Sequence, residues 1–182
     1  MHLPLRPLTF LGRAAEIEQV TMCLADPDCR LLTVLGPGGM GKTLLAIEVA
    51  HRQREHFAGG VWFVDLAPVN TPDEIMIAIL RSLALPPVGP EAATGRLVTH
   101  LAARPTLLVL DNFEHLIAGA ALLPPLLHGA LGLKLLVTSR ARLHLAEEWL
   151  FPIGGLATPP GPVTGRNRND GHSGGKTQSL AD

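Results

Sequence analysis

Apolar and polar positions follow two different rhythms along this chain, and the switches between them lay out its elements. From residue 13 to about 25, in RAAEIEQVTMCLA, apolar residues recur at helical spacing with a polar face between them, which predicts a helix. LLTVLG (31–36) breaks that rhythm; a short unbroken apolar run ending in glycine reads as a buried strand. KTLLAIEVAHRQREHF (42–57) returns to the helical period, with Leu44, Leu45, Ile47, Val49 and Ala50 apolar and a charged C-terminal end. VWFVDL (61–66) reads as a second strand. In TPDEIMIAILRSLAL, Thr71 and Glu74 have capping-box spacing and Pro72 stands at the first helical position, so a helix is expected from 72 to about 83. A further helix is expected over 91–103. TLLVLD (106–111), KLLVTS (134–139) and WLFPI (149–153) read as the third, fourth and fifth strands. Unbroken apolar strands separated by helices predict an α/β fold of three layers, a central parallel five-stranded sheet with helices on both faces.

One longer apolar stretch, HLIAGAALLPPLLHGALGLKLLV (115–137), has the length of a membrane span. It is interrupted by His115, Pro124–Pro125, His128 and Lys134, and reads instead as a helix, a glycine-containing turn and the fourth strand. With no secretory leader recognisable in MHLPLRPLTF, a cytoplasmic protein without a membrane partner is expected. At 182 residues and 47% hydrophobic content the chain can bury a core. Its net charge of −1 carries no global basic field, and no helix-turn-helix is evident, so direct nucleic-acid binding is not expected. Cys23 and Cys29 lack a CxxC partner set and read as reduced thiols, and the 8 histidines form no metal-ligand spacing. From about Thr158 the text turns to TPPGPVTGRNRNDGHSGGKTQSLAD, rich in Pro, Gly and Asn, which cannot bury a core and reads as a disordered tail. The expected organisation is an N-terminal extension (1–9), a nucleotide-binding domain (10–157) and that tail (158–182). GHSGGKT in the tail only superficially resembles a phosphate loop, since it is one residue short and no strand precedes it.

The chemistry concentrates at the ends of the expected strands. GPGGMGKT (36–43) matches G-x-x-x-x-G-K-[ST] in full, after an expected strand and before an expected helix. Gly36, Gly38, Gly39 and Gly41, with Pro37 and Met40 between them, would let backbone N–H groups converge on phosphate at a helix N-terminus. Lys42 would reach the terminal phosphates and the Thr43 hydroxyl a Mg²⁺ ion, with Leu44 in the first helical turn. These residues make the expectation a P-loop NTPase fold with ATP or ADP and Mg²⁺ as cofactors. Asp111, ending an apolar strand, has the pattern of the second metal-holding acid, and strand ends of open α/β sheets share one crevice. VTSRAR (137–142) brings Thr138, Ser139 and Arg140 out of the fourth strand. Were that strand to lie between the first and third, Arg140 would face the terminal phosphate, although Arg142 is close enough to serve instead.

FLGRAAEIEQV, LLTVLGPGGMGKTLLAIEVA, RPTLLVLDNFEHL and LKLLVTSRARL, in that order, resemble the nucleotide-binding domain of STAND-class, NB-ARC-like P-loop ATPases, within the wider AAA+-related group. They are most similar to the ATPase domains of bacterial regulators of the LuxR and AfsR types, over about residues 8–157. The resemblance implies that Gly12 and Arg13 border the adenine and ribose; the family's usual GRE is Gly12-Arg13-Ala14 here, so that acid is missing. It also implies a switch, closed with ADP and open with ATP. The family's helical region and winged helix are not recognisable after Leu156, which predicts a truncated or frame-disrupted copy.

LLVLDNFEHL (107–116) leaves the activity open. Many fast P-loop ATPases carry Glu directly after the strand-end Asp; here Asn112 stands there, an amide that cannot take a proton from water. Glu114 is either a base reaching the water or a first-turn partner of a helix dipole. Asp111, Glu114 and Arg140 are therefore the candidate catalytic residues. The leading expectation is a nucleotide-dependent switch, with a protein partner or self-association. A partner-remodelling ATPase, a kinase and a non-enzymatic interaction fragment are the alternatives.

Overall fold

The computed structural model describes residues 3–6 and 13–154. In chain order the elements are α1 (Ala14–Ala25), β1 (Leu31–Leu35), α2 (Lys42–Arg52), β2 (Val61–Asp65), α3 (Glu74–Ser82), α4 (Pro90–Leu101), β3 (Thr106–Asp111), α5 (Leu123–Gly129), β4 (Leu133–Ser139) and β5 (Glu148–Pro152). Five strands form one sheet in the order β2-β3-β4-β1-β5, and every neighbouring pair is parallel. β4 thus lies between β1 and β3, so the carboxyl ends of the strands that carry Gly36, Ser139 and Asp111 stand side by side.

The strands are apolar at nearly every position because both faces are covered. Successive side chains point to opposite faces. Leu107 and Val109 of β3 pack with Val20 of α1 and with Leu45 and Val49 of α2. Leu108 and Leu110 of the same strand pack with Ile79 of α3, Leu97 of α4 and Leu126 of α5. Each helix therefore needs only one apolar stripe, while β3 is buried at all six positions. No helix of the described residues is long and apolar enough to cross a membrane.

Three departures from the expected elements have local causes. α2 stops at Arg52 rather than running to residue 57, because the chain turns there to bury Phe57 and enter β2 through Gly60, whose φ is +92°. α3 starts at Glu74 rather than at Pro72: the Glu74 carboxylate folds back to accept the backbone N–H groups of Asn70 (3.0 Å) and Thr71 (3.3 Å), and Pro72–Asp73 become the lead-in turn. The stretch after β3 opens with two 3-10 segments, Phe113–His115 and Ile117–Leu122, before α5, whose first turn holds the two prolines.

Residues 3–6 lie along α2. Arg6 donates to both carboxylate oxygens of Glu48 (2.9 and 2.7 Å), Arg52 adds a third bond (2.9 Å), and His51 Nε2 meets the Pro4 carbonyl (2.9 Å). The Glu48 side chain is 6% exposed, and the Arg6 and Arg52 guanidiniums hold its carboxyl down at about 2. The expected tail (158–182) with its GHSGGKT string, and Gly12, lie outside the described residues.

Candidate functional site

The glycine-rich loop leaves β1 at Gly36 and enters α2 at Lys42. Gly36 donates to the Ser139 carbonyl (3.2 Å), and a Cβ at Gly36 would lie 2.5 Å from the Ile153 side chain. The loop is therefore pinned between β4 and the residue after β5. Gly39 and Gly41 have φ of +78° and +79°, a region that side chains with a Cβ rarely enter, and Gly41 is the residue from which α2 starts. Pro37, Gly38 and Gly39 are exposed, and nothing lies within 4 Å of where a Cβ on Gly39 would be. Met40 packs on the core beneath. Lys42 is 8% exposed, and its ammonium donates to the carbonyls of Gly36 (2.8 Å) and Pro37 (2.9 Å), which hold the charge under the loop. Leu44, in the first turn of α2, is 43% exposed.

Beside the loop stands Asp111, 2% exposed at the end of β3. Its carboxylate accepts from Thr43 Oγ1 (2.9 and 3.0 Å), Thr138 Oγ1 (2.5 Å) and Asn112 Nδ2 (3.0 Å). The Thr138 hydroxyl in turn accepts the Asn112 backbone N–H (3.0 Å). Every donor is neutral. Burial raises the Asp111 pKa above its ordinary value; the two hydroxyls oppose that rise, and the carboxylates of Asp65 and Glu114 add to it. No ion pair to Asp111 exists among the described residues. A buried carboxylate held by hydroxyls and an amide is oriented but not neutralised, which suits it to receive a cation from outside.

Glu114 sits in the one-turn 3-10 segment after β3 and ion-pairs with Arg140, its Oε1 3.0 Å from Nε. Its other oxygen is buried with no hydrogen-bond partner. Arg140 reaches Glu114 across the loop: a Cβ at Gly38 would lie 3.0 Å from one of its terminal nitrogens. A one-turn segment has little dipole to offer Glu114, and the partner it takes is the guanidinium. Arg142, the alternative arginine, is exposed and makes no such contact.

Loop, Lys42, Thr43, Asp111, Glu114 and Arg140 are thus gathered at one sheet edge. Arg13 is not part of that network: it precedes α1 and pairs with Glu16 (3.3 Å). Sequence reasoning treated Asn112 only as an absent base. The structure shows a residue at φ +64° whose amide spans Asp111 and, at 3.4 Å, Asp65. An Asn directly after a strand-end Asp is the signal, since Asn tolerates that backbone region. Thr138 was visible as a polar residue at the end of an apolar strand, but its bond to Asp111 needed the strand order. Among the described residues no group of three or more His, Cys, Asp or Glu side chains could hold a metal ion.

A parallel sheet with this loop after its β1 strand and an acid at the end of the strand two places away defines a P-loop ATPase domain of the AAA type. Residues 26–139 match the family described as AAA domain, and the chain belongs to it. It is 39% identical over 155 residues to an uncharacterized protein of Mycobacterium tuberculosis, an alignment that covers 83% of this chain and 39% of the relative. It is 37% identical over 154 residues to the regulatory protein AfsR of Streptomyces griseus, covering 78% of this chain and 15% of AfsR. The chain therefore spans well under half the length of these relatives. In fold it is similar to Cdc6p from Pyrobaculum aerophilum (TM-score 0.62, 18% identity, 84% of this chain and 48% of that one). It is likewise similar to a signal transduction ATPase with numerous domains from Pyrococcus horikoshii (TM-score 0.56, 15% identity, 85% and 25%).

Proposed function

We propose that this chain is a nucleotide-dependent switch module: it binds ATP or ADP with Mg²⁺ at the glycine-rich loop, in a signalling or transcriptional regulator, and turns over slowly. The observation that carries this reading is the buried Asp111 carboxylate, oriented by the hydroxyls of Thr43 and Thr138 and paired with no cationic side chain among the described residues, beside the glycine-rich loop.

The residues fit the group. Mg²⁺ commonly takes one or two protein ligands and fills its shell with water and phosphate oxygens, and Thr43 and Asp111 make up such a set. When bound, the ion would neutralise charge that phosphate brings to the site. Gly39 and Gly41, with φ of +78° and +79°, give the loop a left-handed turn into α2, a conformation in which successive N–H groups could converge on phosphate at the helix N-terminus. Lys42 is already directed into the loop by the Gly36 and Pro37 carbonyls and exchanges those bonds for phosphate oxygens. Asn112 uses its amide on Asp111 and Asp65, which supports slow turnover because no base stands directly after the strand-end acid. The similarity to the regulatory protein AfsR supports a regulatory setting; the net charge of −1 supports a protein partner or self-association, in the cytoplasm, over direct contact with nucleic acid.

Calorimetric titration with ADP and ATP in the presence of Mg²⁺ tests this. The wild-type chain is expected to bind both, and Lys42→Ala to lose about 100-fold in affinity, the worth of two charge-assisted hydrogen bonds. Equal affinity in the two proteins would refute the reading.

A further inference from the structure

The Arg140–Glu114 pair stands beside the glycine-rich loop, with the Arg140 guanidinium next to Gly38. Arg140 is 63% exposed and passes beside Gly38, where the missing Cβ leaves it room, so solvent offers its side chain space to turn. Glu114 is 22% exposed and has no other charged partner, while its second oxygen is buried and unbonded. Resting on the nucleotide-binding reading above, we infer that Glu114 is a specificity-determining residue: it holds Arg140 in the nucleotide-free protein and so sets how strongly the site prefers a triphosphate to a diphosphate.

On this reading two acceptors compete for Arg140. A guanidinium donates to a carboxylate and to a phosphate in the same fork geometry, and Arg140 cannot satisfy both at full strength. A ligand that recruits Arg140 must first break the bond to Glu114. A ligand too short to recruit it leaves the pair intact. The cost of breaking the pair therefore falls on ATP and not on ADP, and Glu114 acts as a brake on ATP affinity. The unbonded Glu114 oxygen makes the brake weak, since a fully bonded carboxylate would hold Arg140 with both oxygens.

The test is equilibrium binding of ATP and ADP, each with Mg²⁺, to wild type, Glu114→Gln, Arg140→Ala and the double variant. Glu114→Gln is expected to tighten ATP about two- to fivefold, the worth of a partly exposed ion pair, and to leave ADP unchanged. On the Arg140→Ala background the same change is expected to alter neither. Glu114→Asp, one methylene too short to reach Arg140 while keeping its charge, is expected to act like Glu114→Gln and serves if the glutamine variant does not fold. ATP affinity that falls or stays level in both variants, or a shift equal for ATP and ADP, overturns the inference. So does an effect that survives on the Arg140→Ala background. Failure of the wild type to bind either nucleotide, or unchanged binding by Lys42→Ala, overturns the parent reading instead, and the two failures are distinguishable.

Discussion

Among the described residues two carboxylates are almost wholly buried, and they are treated in opposite ways. Glu48, on the face of α2 toward residues 3–6, receives three hydrogen bonds from two guanidiniums, and its pKa is held at about 2. Asp111, at the carboxyl end of the interior strand β3, receives its bonds from two hydroxyls and an amide, and burial pushes its pKa up. A charge removed from water is costly unless paired. At Glu48 the chain supplies the counter-charge from its own sequence. At Asp111 it supplies only orientation. The difference separates a carboxylate that holds an element in place from one that, on the proposed reading, would receive an external cation.

The largest test of that contrast removes Asp111. Asp111→Ala is expected to lower nucleotide affinity about tenfold or more in the presence of Mg²⁺ and to leave metal-free affinity nearly unchanged, since the loop and Lys42 remain. Titrations with Mg²⁺ and with a chelator read the two cases. An equal loss in both would mean that Asp111 shapes the loop rather than receiving an ion. Asp111→Asn adds the stability side: without metal it is expected to raise the unfolding free energy by about 1 kcal/mol, because a neutral amide replaces an unpaired buried charge.

Glu48→Gln probes the other pole. It leaves Arg6 and Arg52 without their carboxylate and is expected to lower the unfolding free energy by about 1–3 kcal/mol in denaturant melts. Nucleotide affinity should stay within about twofold of wild type, because Glu48 stands in the middle of α2 and engages its carboxylate with Arg6 and Arg52. If nucleotide binding fell as far as it does in Asp111→Ala, the division of labour between the two carboxylates would be lost.

The contrast also marks where the sequence was legible. The strands were, because burial on both faces removes the polar alternation and leaves runs such as LLVLD. Thr106–Asp111 was read at both of its ends. The loop was legible because its glycines and Lys42-Thr43 stand in one contiguous string. What joins distant segments was not. Arg6 and Glu48 are 42 residues apart and are an ordinary Arg and an ordinary Glu until α2 turns Glu48 toward the chain's start. Thr138 and Asp111 meet only because β4 inserts beside β3. Arg140 and Arg142 look alike in the text alone; in the fold Arg140 lies beside Gly38 and pairs with Glu114. The ion pair of Glu114 with Arg140 was likewise hidden, because its partner arrives from another strand's end.

The smallest expected effect is the pH dependence, and its sign differs between the two acids. Glu48 has a folded pKa of about 2 against an ordinary 4.5. Its contribution to stability is complete above that ordinary value and is lost as pH falls from there through about 2. Asp111 is shifted the other way from 3.8. Above its raised pKa it is a charge that the fold must carry unpaired. As pH falls through that pKa, the folded chain takes up a proton that the unfolded chain still leaves off, and the fold gains stability. In metal-free buffer, unfolding midpoints measured from neutral pH down to pH 2 should therefore show a slight gain before the acid-side loss. Asp111→Asn should remove the gain and keep the loss; Glu48→Gln should keep the gain and flatten the loss. An acid limb in Glu48→Gln as steep as in wild type would show that other carboxylates set it. Because Mg²⁺ would supply the charge that Asp111 lacks, adding it should abolish the gain in wild type and leave the acid limb where it was.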